Sequence, residues 1–176
     1  NFVHNCLVGV GLRDDIKVIA SGHTASGFHV VEKIAAGADV CNAARTMMMA
    51  LGCVQSRHCN TNNCPTGIAT QDPARAKAVN VTDKSERVKN FHHNTLESFF
   101  ELVGSMGLDD PNKLMPQMLK RRSPYGQLIS GGNLIPPLEA KILLSEGRLE
   151  GAWKEWWQQA HSEDFYAADN YVLRPT

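Results

Sequence analysis

The chain has 176 residues, a length that suits one domain with a terminal extension. Hydrophobic residues make up 43% and charged residues 20%, the balance of an ordinary globular protein. Eighteen basic residues cancel eighteen acidic ones, so no nucleic-acid surface or basic membrane patch is indicated, and no apolar run reaches the roughly 20 residues of a membrane helix.

No secretory signal opens the chain, which starts at Asn1 inside a helical pattern rather than at Met. Five cysteines, an odd number without secretory context, argue against a disulfide framework. A reducing compartment, the cytoplasm, with cysteine in metal or redox chemistry is the expectation.

Phe2, Cys6, Leu7 and Val10 fall at helical spacing, and Gly11 ends that pattern. Lys17–Ala20 is a short β-branched run that reads as a buried strand. Residues 21–27 form a polar, glycine-bearing loop, after which Val30, Val31, Ile34 and Ala35 make an apolar helical face closed by Gly37. Ala38–Asn42 reads as a second strand and Ala44–Leu51 as a second helix. This order predicts a parallel βαβ crossover, the repeating unit of α/β folds.

Regular patterning stops from Gly52 to Pro73, where Asn60, Asn62, Asn63, Pro65 and Gly67 favour turns. A structureless stretch of this length inside a compact domain calls for function or bound metal. Helix returns with Asp83-Lys84-Ser85-Glu86, read as a capping box with Asp83 as the cap. Val88, Phe91, Thr95, Phe99, Leu102 and Val103 share its apolar face, with Gly104 and Gly107 at its end. Asp110-Pro111 starts a further helix. In the tail, Leu138–Glu146 reads as a short helix, and Trp153, Trp156 and Trp157 sit together on a last one.

Cys53-x5-Cys59-x4-Cys64-Pro65 is the strongest chemical signal. A loop wraps an iron–sulfur cluster when thiolate ligands recur every few residues. Three ligands suit a three-iron cluster, or a four-iron cluster with one ligand from elsewhere. Zinc with His58 as fourth ligand is the competing metal reading, although His58 directly precedes Cys59 and both would have to face one tetrahedral ion. Three buried structural thiols are the bland alternative. Cys6 and Cys41 read as small buried hydrophobes, and Met47, Met48 and Met49 as core filler.

Ser21-Gly22-His23 follows the first strand, and Ala43-Ala44-Arg45 follows the second. In α/β barrels the loops after the last two strands, with a helix N-terminus, bind phosphate through backbone N–H groups and the helix dipole. Gly22 would allow close approach and Arg45 would add charge. Among the histidines, His23 is the one retained as a candidate to touch the ligand. His29 reads as a helix N-terminal or interface residue, and His92 and His93 as surface or supporting positions.

Ile19-Ala20-Ser21-Gly22 through Gly37-Ala38-Asp39, Leu51-Gly52-Cys53, and Asn63-Cys64-Pro65-Thr66-Gly67-Ile68-Ala69-Thr70-Gln71-Asp72-Pro73 resemble the flavin domain of glutamate synthase. Within that family the chain is most similar to the shorter, flavin-domain glutamate synthase-related proteins, over about residues 1–122. The resemblance implies the C-terminal part of a (β/α)8 TIM-type barrel, an α/β fold, whose last two strands bind the phosphate of flavin mononucleotide (FMN) at Ser21, Gly22, His23, Ala44 and Arg45. It implies a [3Fe-4S] cluster on Cys53, Cys59 and Cys64. Electrons would pass through that cluster to the flavin, which reduces 2-iminoglutarate to glutamate.

Three segments are expected: residues 1–73 with the flavin site and cysteine loop, residues 74–122 as helices packing on the barrel, and residues 123–176 as a helical extension. Related flavin barrels usually carry Gly-Gly where this chain has Gly22-His23, often Gly-Arg where it has Ala44-Arg45, and commonly an Asp in place of His29. The nucleophilic cysteine of the glutaminase domain and the upstream barrel are not in the sequence, so the expectation is a part of a longer enzyme. The implied partners are 2-oxoglutarate, glutamine or ammonia, a glutaminase domain or subunit, and an electron-donor protein or NAD(P)H-oxidising subunit. The other readings are a related FMN and iron–sulfur oxidoreductase or electron-transfer module with another substrate, and a non-catalytic metal-stabilised domain.

Overall fold

The computed structural model describes residues 1–145 and 147–163. The chain forms two compact units: one spans Lys17–Pro136, and the other joins Phe2–Ile16 to the residues from Pro137 onward. Both helices and sheets are present, in an α/β arrangement.

In the larger unit, strand β1 (Ile19–Ala20) pairs in parallel with β2 (Val40–Cys41), with Ile19 opposite Val40 and Ala20 opposite Cys41. Hydrogen bonds extend the pairing at both ends: Val18 O accepts from Asp39 N at 2.9 Å, and Ala20 O from Asn42 N at 2.8 Å. Both strands lie within the predicted ranges, in shorter form, but β1 is not the buried strand that Lys17–Ala20 reads as. Their apolar faces are not covered, since Ile19 is 66% and Val40 51% exposed.

Helix α2 (Gly27–Ala35) makes the crossover between them. Ser26 caps it by accepting from His29 N, and Gly37 turns the chain out at φ +99°. Val31 and Ala35 on its inner face meet Phe99, Val103 and Leu114 in the core of this unit. Burying a side chain such as the fully enclosed Val31 contributes about 1.5–3 kcal/mol. Gly27 permits the contact, because a Cβ there would stand 2.5 Å from Phe99 N.

Phe99 and Val103 belong to α5 (Val81–Ser105), which also packs on α3 (Ala44–Ala50); a short α4 (Pro73–Ala76) lies between these two in the chain. The cap of α5 is Asn80, which accepts from Asp83 N, so the helix begins three residues before the capping box predicts. Gly104 remains helical, and Gly107 at φ +76° makes the stop. Asp110-Pro111 opens a single 3-10 turn, Pro111–Lys113, rather than a longer helix.

A hairpin follows that the sequence patterning does not announce: β3 (Lys120–Arg122) runs antiparallel to β4 (Leu128–Ser130). Lys120, Arg121 and Arg122 are all exposed, so backbone pairing holds this strand without a buried apolar face.

The smaller unit contains α1 (Phe2–Val10) and α6 (Gly151–Gln159). Phe2 stacks on Trp153 with ring centroids 5.2 Å apart, and Trp156 meets both rings edge-on. Asn5 is buried and its Oδ1 accepts from Leu138 N. Between Leu138 and Ser145 the chain forms only the 3-10 turn Ile142–Leu144, because Lys141 adopts φ +62° and interrupts any α-helix; Glu146 lies outside the described residues.

Candidate functional site: a strand-to-helix cavity and a cysteine loop

Helix α3 joins the two features that the sequence singles out. At its start, the loop after β1 and the turn after β2 meet around a cavity of about 450 Å³. Thr24 and Ala25 come from the first loop, Asn42, Ala43 and Ala44 from the second, and His92 and Thr95 from α5. Thr46 in the first turn of α3 donates to the backbone oxygen of Thr24 at 2.6 Å, tying the two loops together.

Ser21, Gly22 and His23 are exposed, and so are Ala44 and Arg45. Of these five predicted phosphate-site residues, Ala44 lines the cavity, while the other four stand outside its wall. Gly22 and His23 both take left-handed backbone conformations, at φ +85° and +52°, and a Cβ at Gly22 would meet nothing within 4 Å. That segment is open to an approaching group, as an anion loop requires. No side chain caps α3, whose N-cap is Ala43.

Thr24, unlike its exposed neighbours in this loop, is buried. It is 4% exposed, and its Oγ1 has no hydrogen-bond partner while the residue lies on the cavity wall. An orphaned buried hydroxyl costs about 1–3 kcal/mol. Its chemistry fits an oxygen-rich ligand such as a phosphate. His29 behaves as a helix N-terminal residue: its Nδ1 lies 3.2 Å from Ser26 Oγ and accepts from Ala25 N.

At the other end of α3, Gly52 takes φ +105°, its N–H reaches Met49 O, and Cys53 N–H reaches Met48 O. This pair of bonds is a Schellman closure, and it sets Cys53 at the helix end. Cys53 Sγ accepts from Gln55 N at 3.4 Å. Cys59 is exposed, on a turn closed by Thr61 N to His58 O, and it borders a cavity of about 500 Å³ with Asn60, Asn62 and Ile68–Gln71.

Cys64 is buried at 6% exposure, with Thr66 Oγ1 3.4 Å from its sulfur. The Thr66 side chain, then the Ala69 backbone, with those of Thr66 and Ile68, draw its thiol down to about 7. By contrast, Cys6 and Cys41, which read as small buried hydrophobes, are only half-buried, and that burial pushes both thiols up.

Among the described residues, no three His, Cys, Asp or Glu side chains stand together as a metal-holding group. The donor set is nevertheless selective. Residues 52–71 contain three cysteines and no Asp or Glu, which disfavours hard cations and suits a thiolate-bound centre. Cys53 Sγ accepts an N–H and Cys64 Sγ lies within hydrogen-bond reach of the Thr66 hydroxyl, contacts of the kind that orient and tune thiolate ligands. Cys53, Cys59 and Cys64 thus fit an iron–sulfur cluster chemically.

The fold and site define an α/β segment in which one short helix links an open strand-to-helix cavity to a cysteine loop. The conserved region in glutamate synthase matches residues 1–109, and the chain belongs to the glutamate synthase family. It is 36% identical over 133 residues to the glutamate synthase large subunit-like protein YerD of Bacillus subtilis, covering 76% of this chain and 25% of that protein. It is 32% identical over 146 residues to the NADH glutamate synthase of Schizosaccharomyces pombe, covering 82% of this chain and 7% of that one. The NADPH archaeal glutamate synthase of Methanocaldococcus jannaschii is 36% identical over 104 residues, 59% of this chain and 20% of its own length. The chain spans a quarter or less of each of these relatives. Among the described residues no helix is long and apolar enough to cross a membrane.

Proposed function

We propose that the chain is the C-terminal part of a (β/α)8 barrel that binds FMN and a [3Fe-4S] cluster in a cytoplasmic oxidoreductase of the glutamate synthase type. The observation that carries the reading is the placement of the two features at opposite ends of α3. Ala44 at its start lines the cavity, and Cys53 closes its end. Eight residues from Ala44 to Leu51 span about 12 Å at 1.5 Å each, so one short helix separates the cavity from the cysteine loop.

When bound, FMN supplies two-electron transfer to an imine carbon and the cluster supplies one-electron transfer. The reaction joins 2-oxoglutarate and ammonia with loss of water to give 2-iminoglutarate, which takes two electrons and two protons to become glutamate. The chain's residues bind and orient. Ser21, Gly22 and His23 offer backbone N–H groups, Ala44 lies in the uncapped first turn of α3, and Arg45 contributes a fixed positive charge. Cys53, Cys59 and Cys64 would hold the cluster. Glutamine-derived ammonia would come from a glutaminase domain or subunit, and electrons from a donor protein or NAD(P)H-oxidising subunit.

The test uses the full-length protein purified without oxygen. It should contain FMN, about three irons and matching sulfide. Its flavin, once reduced, should be reoxidised by 2-oxoglutarate with a nitrogen donor, and glutamate should form. Flavin that stays reduced with its glutaminase partner present would point to another substrate, and protein with zinc and no sulfide would end the cluster reading.

A further inference from the structure

We propose that Thr66 is a positioning residue whose hydroxyl donates a hydrogen bond to the Cys64 sulfur and so sets the reduction potential of the bound cluster. This rests on the iron–sulfur reading above. Cys64 is the most enclosed of the three loop cysteines: it is buried, Cys53 is half-buried and Cys59 is exposed. A sulfur withdrawn from water loses solvent donors and depends on the protein for replacements.

Thr66 Oγ1 lies 3.4 Å from Cys64 Sγ. In a free thiol either atom could donate, but a thiolate ligand carries no hydrogen, so the bond has one direction: hydroxyl to sulfur. The geometry is built by the loop itself. Gly67 N donates to Cys64 O, closing a turn that folds Thr66 back toward the cysteine. Gly67 holds that turn at φ +77°, with no room for a side chain against the backbone oxygen of Arg75. The backbones of Ala69, Thr66 and Ile68 act on the same sulfur. Thr66 is the side chain in this set, and so it can be changed without altering the backbone donors.

Reduction places one additional electron on the cluster, spread partly over its sulfur ligands. A donor aimed at one of those ligands stabilises the reduced form more than the oxidised form. Removing it shifts the one-electron equilibrium toward the oxidised form, here by about tenfold, or about 59 mV.

The experiment is a redox titration of the full-length holoprotein with dithionite and mediators, read from the cluster's electron paramagnetic resonance signal, with iron and sulfide counted in each sample. Thr66→Val should keep its iron and sulfide but titrate at a lower potential. Thr66→Ser, which restores the hydroxyl, should return to the wild-type potential. If Thr66→Val loses its iron, Thr66→Ala takes its place in the same titration with the same expectation. An unchanged potential in the iron-loaded variant overturns the proposal, as does a Thr66→Ser protein displaced as far as Thr66→Val. Wild-type protein free of iron and sulfide would instead overturn the cluster reading, a failure visible before any variant is made.

Discussion

The side-chain oxygen of Asn62 accepts from the backbone N–H of Gln71 at 2.5 Å, closing the cysteine loop across nine residues. Thr70 Oγ1 strengthens the same clasp, 2.8 Å from Asn62 O and 3.0 Å from Asn62 Oδ1. The clasp encloses Cys64 and leaves Cys59 just before it in the chain. Asn62 also adopts φ +61°, a conformation that asparagine tolerates better than most residues. Asn62→Gly keeps the backbone freedom and removes the side-chain bonds of the clasp, whereas Asn62→Ala loses both. Both variants should raise protease cleavage within residues 53–71 and lower the iron content, with Ala the more severe. Equal protease resistance in all three proteins would show that the clasp does not hold the loop.

Cys59 is the most exposed of the three predicted ligands and the middle one in the chain. Cys59→Ser in the full-length protein should lose most of its brown colour, iron and acid-labile sulfide, because a neighbouring loop ligand cannot reach across to replace it. Retention of full iron and sulfide content would remove Cys59 from the ligand set.

The two ends of the FMN reading separate by mutation. Arg45→Ala should weaken FMN binding by roughly 1–3 kcal/mol, the range for a lost charge-assisted hydrogen bond. Thr24→Val replaces the orphaned buried hydroxyl with a methyl group of similar shape. Thermal unfolding of the flavin-free protein should then be unchanged or shifted upward, while calorimetric titration with FMN shows weaker binding. A Thr24→Val protein that binds FMN as tightly as wild type would take that hydroxyl out of the site.

The parallel pair of β1 and β2 presents Ile19 and Val40 side by side at 66% and 51% exposure. An exposed apolar strand pair is an association surface. The 176-residue chain expressed alone should therefore self-associate or unfold with little cooperativity, as measured by light scattering and calorimetry. Ile19→Lys should reduce the association. A monodisperse, sharply melting monomer would contradict this.

Local signals were legible wherever their cause lies within a turn or two of chain. Gly11, Gly37 and Gly52 mark helix ends because each takes a positive φ that other residues adopt only with strain. The spacing of Val31, Ala35, Phe99 and Val103 revealed the core faces of α2 and α5, and the asparagine- and proline-rich run around Cys59 announced irregular backbone. The motifs through Asp72-Pro73 were enough to reach the family. Three-dimensional closure decided the rest. Asn80 caps α5 through its side-chain oxygen, which accepts from Asp83 N, although the Asp83-Lys84-Ser85-Glu86 pattern looks like the better start. The exposed Lys-Arg-Arg strand forms because its partner returns antiparallel, a fact no burial pattern records. Residue type alone does not separate Thr24 from Thr66. Only the folded chain leaves one hydroxyl orphaned at a cavity and brings the other to a buried sulfur, because hydrogen-bond partners are set by the path of the loop and not by residue type.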